Sequence, residues 1–387
     1  MTVTARSFWD GLTGQTEAIE TLRAAASTQP GNSSMTHSWL ITGPPGSGRS
    51  NLAYAFAAAL LARGDDDAAA TIRQVGARSH PDLAVLSTER IIITIDEVRS
   101  LVAASQFSPS VGRYRVVVIE DADRMTERTS NLLLKALEEP PPRTVWILCA
   151  PSEADLIPTI RSRVRGVRLR VPSVADVAAL IERRDGVDHD TALVAAREAQ
   201  SHIGMAHRLA TNPEARDRRR RTLETALAIR SVSDAVQAAA TLLAVAGDDA
   251  KAITTERDAD ERASALRSLG VEPGGTVPPA LRSQLRALDD DQKRRATRSL
   301  RDGIDRIMVD LLSLYRDVLL LHLGVADEPI NQSMRGRLDD ATRASSPAST
   351  LAVMDAIAVA RRRIESNVSP VLALEAMLVA ISRHAVR

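Results

Sequence analysis

A single cysteine, Cys149, occurs in 387 residues. This excludes an internal disulfide framework and any zinc site built from cysteines of this chain. Aromatic residues supply only 2% of the composition, so most core packing falls to Ala, Val and Leu. No excess of either charge exists: 50 Lys and Arg stand against 49 Asp and Glu, for a formal charge of +1. The whole-chain charge therefore gives no sign of a nucleic-acid partner. No window offers the roughly 18 uninterrupted apolar residues of a membrane span, and the opening "MTVTARSFWDGL" has no signal-peptide core. These absences lead us to expect a soluble, cytoplasmic protein with no membrane partner.

The length exceeds what one hydrophobic core serves, so two or three domains are expected. Up to about residue 172 short β-like runs alternate with helical ones. The runs are "SWLIT" (38–42), "DLAVLS" (82–87), "YRVVVIE" (114–120), "TVWILCA" (144–150) and "VRLRV" (167–171). Helical stretches are expected at 50–63, 94–105 and 126–138. Such alternation predicts a parallel sheet covered on both faces. From residue 173 onward the pattern is helical throughout. "TNPEARDRRRRT" (211–222) is read as an exposed connection, with the arginines of 218–221 at a solvated helix start. "GVEPGGTVPP" (270–279) breaks any helix. The charge-dense segment 247–303 mixes both signs and is read as solvated helix and loop rather than a nucleic-acid patch. Ile304, Ile307, Met308, Leu311, Leu312, Tyr315, Val318 and Leu319 then recur at helical spacing.

Two motifs carry chemistry. Gly43-Pro44-Pro45-Gly46-Ser47-Gly48-Arg49-Ser50 follows a strand and precedes a helix, the setting of a phosphate-cradling loop. Glycines let backbone N–H groups converge on phosphate oxygens, and the helix N-terminus adds partial positive charge. Arg49 stands where the pattern has lysine. A planar guanidinium does not reproduce a compact ammonium between the outer phosphates. The second motif is the end of "VVVIEDAD". Phosphate-loop ATPases place Asp there to hold magnesium, and many follow it with Glu to orient water. Here Glu120 precedes Asp121, which shortens the water-positioning acid by about 1.5 Å; misplacement of that order costs around a hundredfold in rate.

"NLLLKALEEPPP" (131–142), followed by a strand and "IRSRVR" (160–165), closely resembles clamp-loader subunits of the AAA+ superfamily. "FWDGLTGQTEAIETL" (8–22) resembles that family's opening box, with Leu12 to Gln15 near the adenine side. "RRRIESNVSPVLALEAMLVAI" resembles its collar helices. The resemblance covers about 8–215 well and 300–385 more loosely. It implies an AAA+ ATPase-like α/β domain with a parallel sheet over residues 1–172, a small helical lid over 173–215, and an all-α collar over 216–387. Residues 235–300 match nothing in the family and are expected to be variable and partly flexible.

Within the family, Ser162-Arg163-Val164 matches a Ser-Arg-Cys motif whose arginine reaches into a neighbouring subunit's ATP site. Arg163 is therefore the expected arginine finger in trans, with Arg161 and Arg165 as decoys. The strand position that senses the outer phosphate holds Cys149 and Ala150. The lid arginine position holds His207, with Arg208 one residue late. The family's four-cysteine zinc module is stripped from residues 61–83, where His80 alone cannot hold the metal. The pattern resembles the non-hydrolysing, delta-prime branch of the family. It implies a subunit of the clamp loader in the DNA polymerase III holoenzyme that is not catalytic alone. Any ATP or ADP would be bound without hydrolysis. Expected partners are ATP-hydrolysing and clamp-opening subunits, and through them the sliding clamp and primer–template DNA. An ATP-hydrolysing motor subunit, or another AAA+ DNA-processing factor, is the alternative.

Overall fold

The computed structural model describes residues 8–27, 34–64, 67–88, 92–268, 282–366 and 368–385. Contacts divide the chain into two compact units, Met1–Thr211 and Asn212–Arg387. The expected break at 270–279 lies outside the described residues.

The first unit is built on five parallel strands: β1 (Ser38–Thr42), β2 (Leu83–Leu86), β3 (Arg115–Ile119), β4 (Thr144–Ala150) and β5 (Arg165–Arg168). Their order is β2-β3-β4-β1-β5. Nine helices accompany them among the described residues: α1 (Thr16–Ala26), α2 (Arg49–Leu61), α3 (Ala68–Gly76), α4 (Ile95–Ser105), α5 (Glu127–Glu138), α6 (Pro158–Arg161), α7 (Val174–Asp185), α8 (His189–Glu198) and α9 (Ile203–Thr211). This is a parallel α/β sheet covered by helices on both faces.

Each central strand is buried on both faces because its side chains alternate between two cores. Trp39, Ile41, Val116, Val118, Ile147 and Cys149 pack with α1 and α2 on one side. Leu40, Val117, Ile119, Trp146 and Leu148 pack with α4 and α5 on the other. The scarce aromatics are concentrated here: Trp39, Trp146 and Phe56 are fully buried. Trp39 and Phe56 meet edge-on, with ring centroids 5.3 Å apart. Thr94 opens α4 in a reciprocal capping box with Glu97, and Ser173 does the same for α7 with Asp176.

The last strand departs from the sequence expectation. Pairing of β5 with β1 covers Arg165 to Arg168, rather than 167–171. Beyond it the backbone of Arg170 is taken by a side chain: Gln15 Nε2 donates to its carbonyl at 2.8 Å, and its N–H donates to Gln15 Oε1 at 3.1 Å. The short helices α3 and α6 were not foreseen.

The second unit contains α10 (Pro213–Leu227), α11 (Val232–Ser268), α12 (Arg282–His322), α13 (Arg335–Arg343), α14 (Pro347–Glu365) and α15 (Pro370–Ala385). Leu223, Leu242, Ile304, Met308, Leu311, Val318, Ile357 and Leu374 belong to its core. The charge-dense run from residue 282 is part of the same 41-residue helix, α12, as the apolar run that follows.

The stretch 211–222 is not an exposed connection. Asn212 caps α10 by accepting the Ala215 N–H at 3.1 Å, and Pro213 opens the helix. Arg218 and Arg219 are buried. Arg219 donates to Asp310 at 3.2 Å and to Asn331 Oδ1 at 2.6 Å. Asn331 in turn donates through its N–H and its Nδ2 to Asp317 Oδ2, both at 2.8 Å. Arg218 pairs with Asp249. These arginines are buried where carboxylates 31 and 91 positions away meet them; the run itself carries no trace of that pairing.

Candidate functional site

The loop between β1 and α2 adopts the backbone that its glycines permit. Gly46 and Gly48 lie in the left-handed region, at φ 80° and 91°, where a side chain would be strained. Gly43 is tight as well: a Cβ there would lie 2.7 Å from Ser47 Oγ and 2.8 Å from Leu169 Cβ. A Cβ on Gly46 would collide with the ring of His202, just before α9. The Ile203 N–H donates to the Gly46 carbonyl at 3.2 Å. The start of α9 is thus seated on the loop.

Within the loop, Ser47 Oγ and Arg49 Nη1 are buried and have no hydrogen-bond partner among the described residues. Leaving buried donors unmet is costly, so both atoms suit an anion of the phosphate class. Pro44 is half-buried beside them, and Ser50 lies in the first turn of α2.

The acidic strand end is arranged differently from a metal site. Glu120 follows β3, and Ser50 Oγ donates to its Oε2 at 3.2 Å. Tyr54, one helical turn beyond Ser50, donates its hydroxyl to Oε1. Arg78 Nη2 donates to the same oxygen at 2.6 Å. Burial and the Glu120 carboxylate push the Tyr54 phenol far above its usual range, so it remains a donor. The Arg78 guanidinium also lies 5.6 Å from the centre of the Tyr54 ring. A divalent cation does not fit: the carboxylate that would hold it already faces a positive charge and two hydroxyl donors. Asp121 pairs with Arg124 at 3.6 Å.

Arg78 is reached by an unusual backbone. It follows α3 at φ 55°. Its N–H bonds the Val75 carbonyl at 3.0 Å, and the Ser79 N–H bonds that of Gln74 at 2.8 Å. This is a helix terminus that ordinarily takes glycine.

Cys149 lies in β4 opposite Ile41 of β1 and is buried. Burial pushes its thiol up to about 12; Arg49 opposes the shift, and Glu120 and Asp121 add to it. Cys149 therefore stays a neutral thiol. His207 Nδ1 lies 2.8 Å from Asp185 Oδ2, at the end of α7. Arg208 is half-buried in the same helix.

Arg163 lies two residues past α6. Its guanidinium pairs with Glu138, the last residue of α5, and donates through Nη1 to the Thr159 carbonyl at 2.7 Å and to Ser162 Oγ at 3.2 Å. The decoys are placed differently. Arg161 is exposed, and Arg165 donates to the Ser34 carbonyl at 2.6 Å while lying 5.1 Å from the centre of the Trp39 ring.

His80 accepts the Asp82 N–H at Nδ1, 3.1 Å away, and burial lowers its pKa. Asp82 is fully buried and accepts the N–H groups of Ser110, Val111 and Gly112, each at 2.6 Å. Burial alone would raise its pKa; those donors outweigh it and hold the carboxyl at about 2.

Tyr54, Arg78, His202 and Glu138 escaped sequence reasoning as site residues. Tyr54 had a signal, the i, i+4 spacing from Ser50 on a helix face. Arg78 and His202 had none, because each meets its partner through the fold.

Residues 14–173 match the family model described as DNA polymerase III, delta subunit. The DNA polymerase III subunit delta′ of Pseudomonas aeruginosa is 36% identical over 140 residues, covering 34% of this chain and 43% of that protein. Its counterpart in Escherichia coli is 30% identical over 179 residues, 44% of this chain and 53% of the relative. A gamma/tau subunit from Mycobacterium tuberculosis is 32% identical over 102 residues, 26% of this chain and 18% of the relative. The chain thus spans about half or less of the length of the curated relatives it matches. A solved DNA polymerase III gamma-subunit-related protein from Thermotoga maritima covers 95% of this chain and 99% of its own, at 18% identity and a TM-score of 0.42. Residues 14–173 thus resemble DNA polymerase III subunits, delta′ among them. Among the described residues, no helix is long and apolar enough to cross a membrane.

Proposed function

We propose that the chain is a delta-prime-like clamp-loader subunit of the DNA polymerase III holoenzyme, which does not hydrolyse ATP itself and lends Arg163 to a neighbour's ATP site. The observation that carries this reading is the internal capture of Glu120 by Arg78, Tyr54 and Ser50. The acid that should hold the metal in a motor subunit is committed elsewhere, whereas Arg163 stands at the family's finger motif.

In this reading the helices of the second unit join the chain to ATP-hydrolysing and clamp-opening subunits in a ring-like hetero-oligomer. The assembled complex then places the sliding clamp on primer–template DNA. Any ATP or ADP that enters the loop is held and not turned over, and no zinc takes part. A guanidinium entering from the adjoining subunit stabilises charge on the transferring phosphoryl group in a site that the neighbour otherwise completes.

ATP turnover by the purified chain is the direct check on the first half of the proposal. A rate at the level of a no-protein control, with and without primed DNA, is expected. Brisk turnover that Arg49→Ala abolishes would assign the chain to the motor subunits instead.

A further inference from the structure

The geometry points to Arg78 as the chain's own substitute for a divalent cation: its guanidinium occupies the charge position beside Glu120 and keeps metal ions out of the nucleotide-like loop. This rests on the non-hydrolysing reading above and gives it a physical cause.

Three observations converge. First, Arg78 Nη2 lies 2.6 Å from Glu120 Oε1, on the same carboxylate that Ser50 contacts through Oε2. In a phosphate-loop ATPase the equivalent hydroxyl and acid are the protein groups around the magnesium ion. A second cation on that carboxylate would meet the guanidinium at close range; the Glu120 side chain is only 14% exposed, while the Arg78 side chain, at 48%, keeps contact with solvent that moderates the repulsion. Second, Tyr54 takes a further lone pair of Oε1 with a hydroxyl that stays protonated, and it presents its ring to Arg78. The guanidinium is therefore held by both an acid and an aromatic face. Third, Arg78 keeps this place at a helix terminus with positive φ, a position that glycine occupies without strain. The backbone there does not require a charge, whereas Glu120 does.

The Glu120–Asp121 order and Arg49 thus belong with a third change. A loop with arginine in place of lysine and an acid bound to an internal cation gives up metal binding, beside a water-positioning acid already shortened to Asp121. The exchange is independent of Arg163, which lies on another segment and pairs with Glu138.

Arg78→Gly is the informative variant, because it removes the cation and relieves the backbone at once. Mn2+ is titrated into the full chain, with and without ADP, and free Mn2+ is read by electron paramagnetic resonance. The wild type is expected to take up no Mn2+ that Glu120→Gln removes. Arg78→Gly should bind Mn2+ at least about tenfold more tightly than the wild type in one or both arms, and the Arg78→Gly, Glu120→Gln double variant should lose the gain. Arg78→Lys, which keeps the charge, should behave as the wild type. Glu120-dependent Mn2+ binding by the wild type overturns the proposal. So does an Arg78→Gly variant no better than its double variant in either arm, or an Arg78→Lys variant that gains metal as Arg78→Gly does. None of these outcomes bears on Arg163, whose effect is read in the neighbour's ATPase.

Discussion

Arg163 and Glu138 form an ion pair that ties the segment after α6 to the end of α5. Glu138 belongs to the "ALEEPPP" run and Arg163 to "IRSRV", so the two stretches that carry the family resemblance touch through their charged ends. The pair is partly exposed, at 31% for the arginine side chain and 46% for the glutamate, so its worth to stability is small. Its consequence is orientation. Glu138→Gln should leave the unfolding midpoint of the chain nearly unchanged and lower the DNA-stimulated ATPase of a reconstituted loader a few-fold, since a loosened guanidinium is less well aimed. An unaltered rate would mean that Glu138 does not aim the arginine.

Asp82 makes stability depend on acid. Its folded pKa, about 2, lies below the ordinary 3.8. Its contribution is therefore fully present above about pH 4 and is lost as pH falls towards 2. The shift corresponds to about 2 kcal/mol. Asp82→Asn should destabilise the first unit by about that amount at neutral pH and flatten the acid limb of its stability curve, as read by urea unfolding between pH 2 and 7. An unchanged acid limb would place the sensitivity in another carboxyl group.

Contact between the loop and the start of α9 predicts a steric cost. Gly46→Ala puts a Cβ into the His202 ring and forces a positive φ on a side chain. A loss of about 1–3 kcal/mol is expected. His202→Ala in the same background should recover the steric part and leave the backbone part. A neutral Gly46→Ala, by thermal or urea unfolding, would contradict the packing of His202 on the loop.

In the second unit, Arg219 is held by Asp310 and Asn331. Asp310 also accepts from Arg306 at 2.8 Å, so Arg219→Met strips one guanidinium from Asp310 and removes the Arg219 donor from Asn331 Oδ1. The expected loss is about 3 kcal/mol. Chemical denaturation monitored within α10 to α15 checks it, and a loss below about 1 kcal/mol would show that Arg306 alone suffices.

Much of this was legible in the chain. The strands β1 and β4 coincide with "SWLIT" and "TVWILCA" because a buried parallel strand is a bounded apolar run. The phosphate-type loop is contiguous, so its glycines and Arg49 can be read off directly. The end of β5 was misplaced because Gln15, 155 residues away, takes the Arg170 backbone that a partner strand would otherwise hold. The arginines at 218 and 219 look like a solvated run, since nothing local distinguishes a free guanidinium from one with an acid waiting in α11 or α12. The Arg78–Glu120 pair was invisible for the same reason: the positive-φ position past α3 is the arginine itself rather than a glycine that would mark it.

The decisive measurement is made on a loader reconstituted with Arg163→Ala in this chain alone. DNA-stimulated ATPase and clamp loading should both fall, by at least about tenfold at the adjoining site, while the variant assembles as the wild type does. Rates equal to those of the wild-type complex, with assembly intact, would contradict the account.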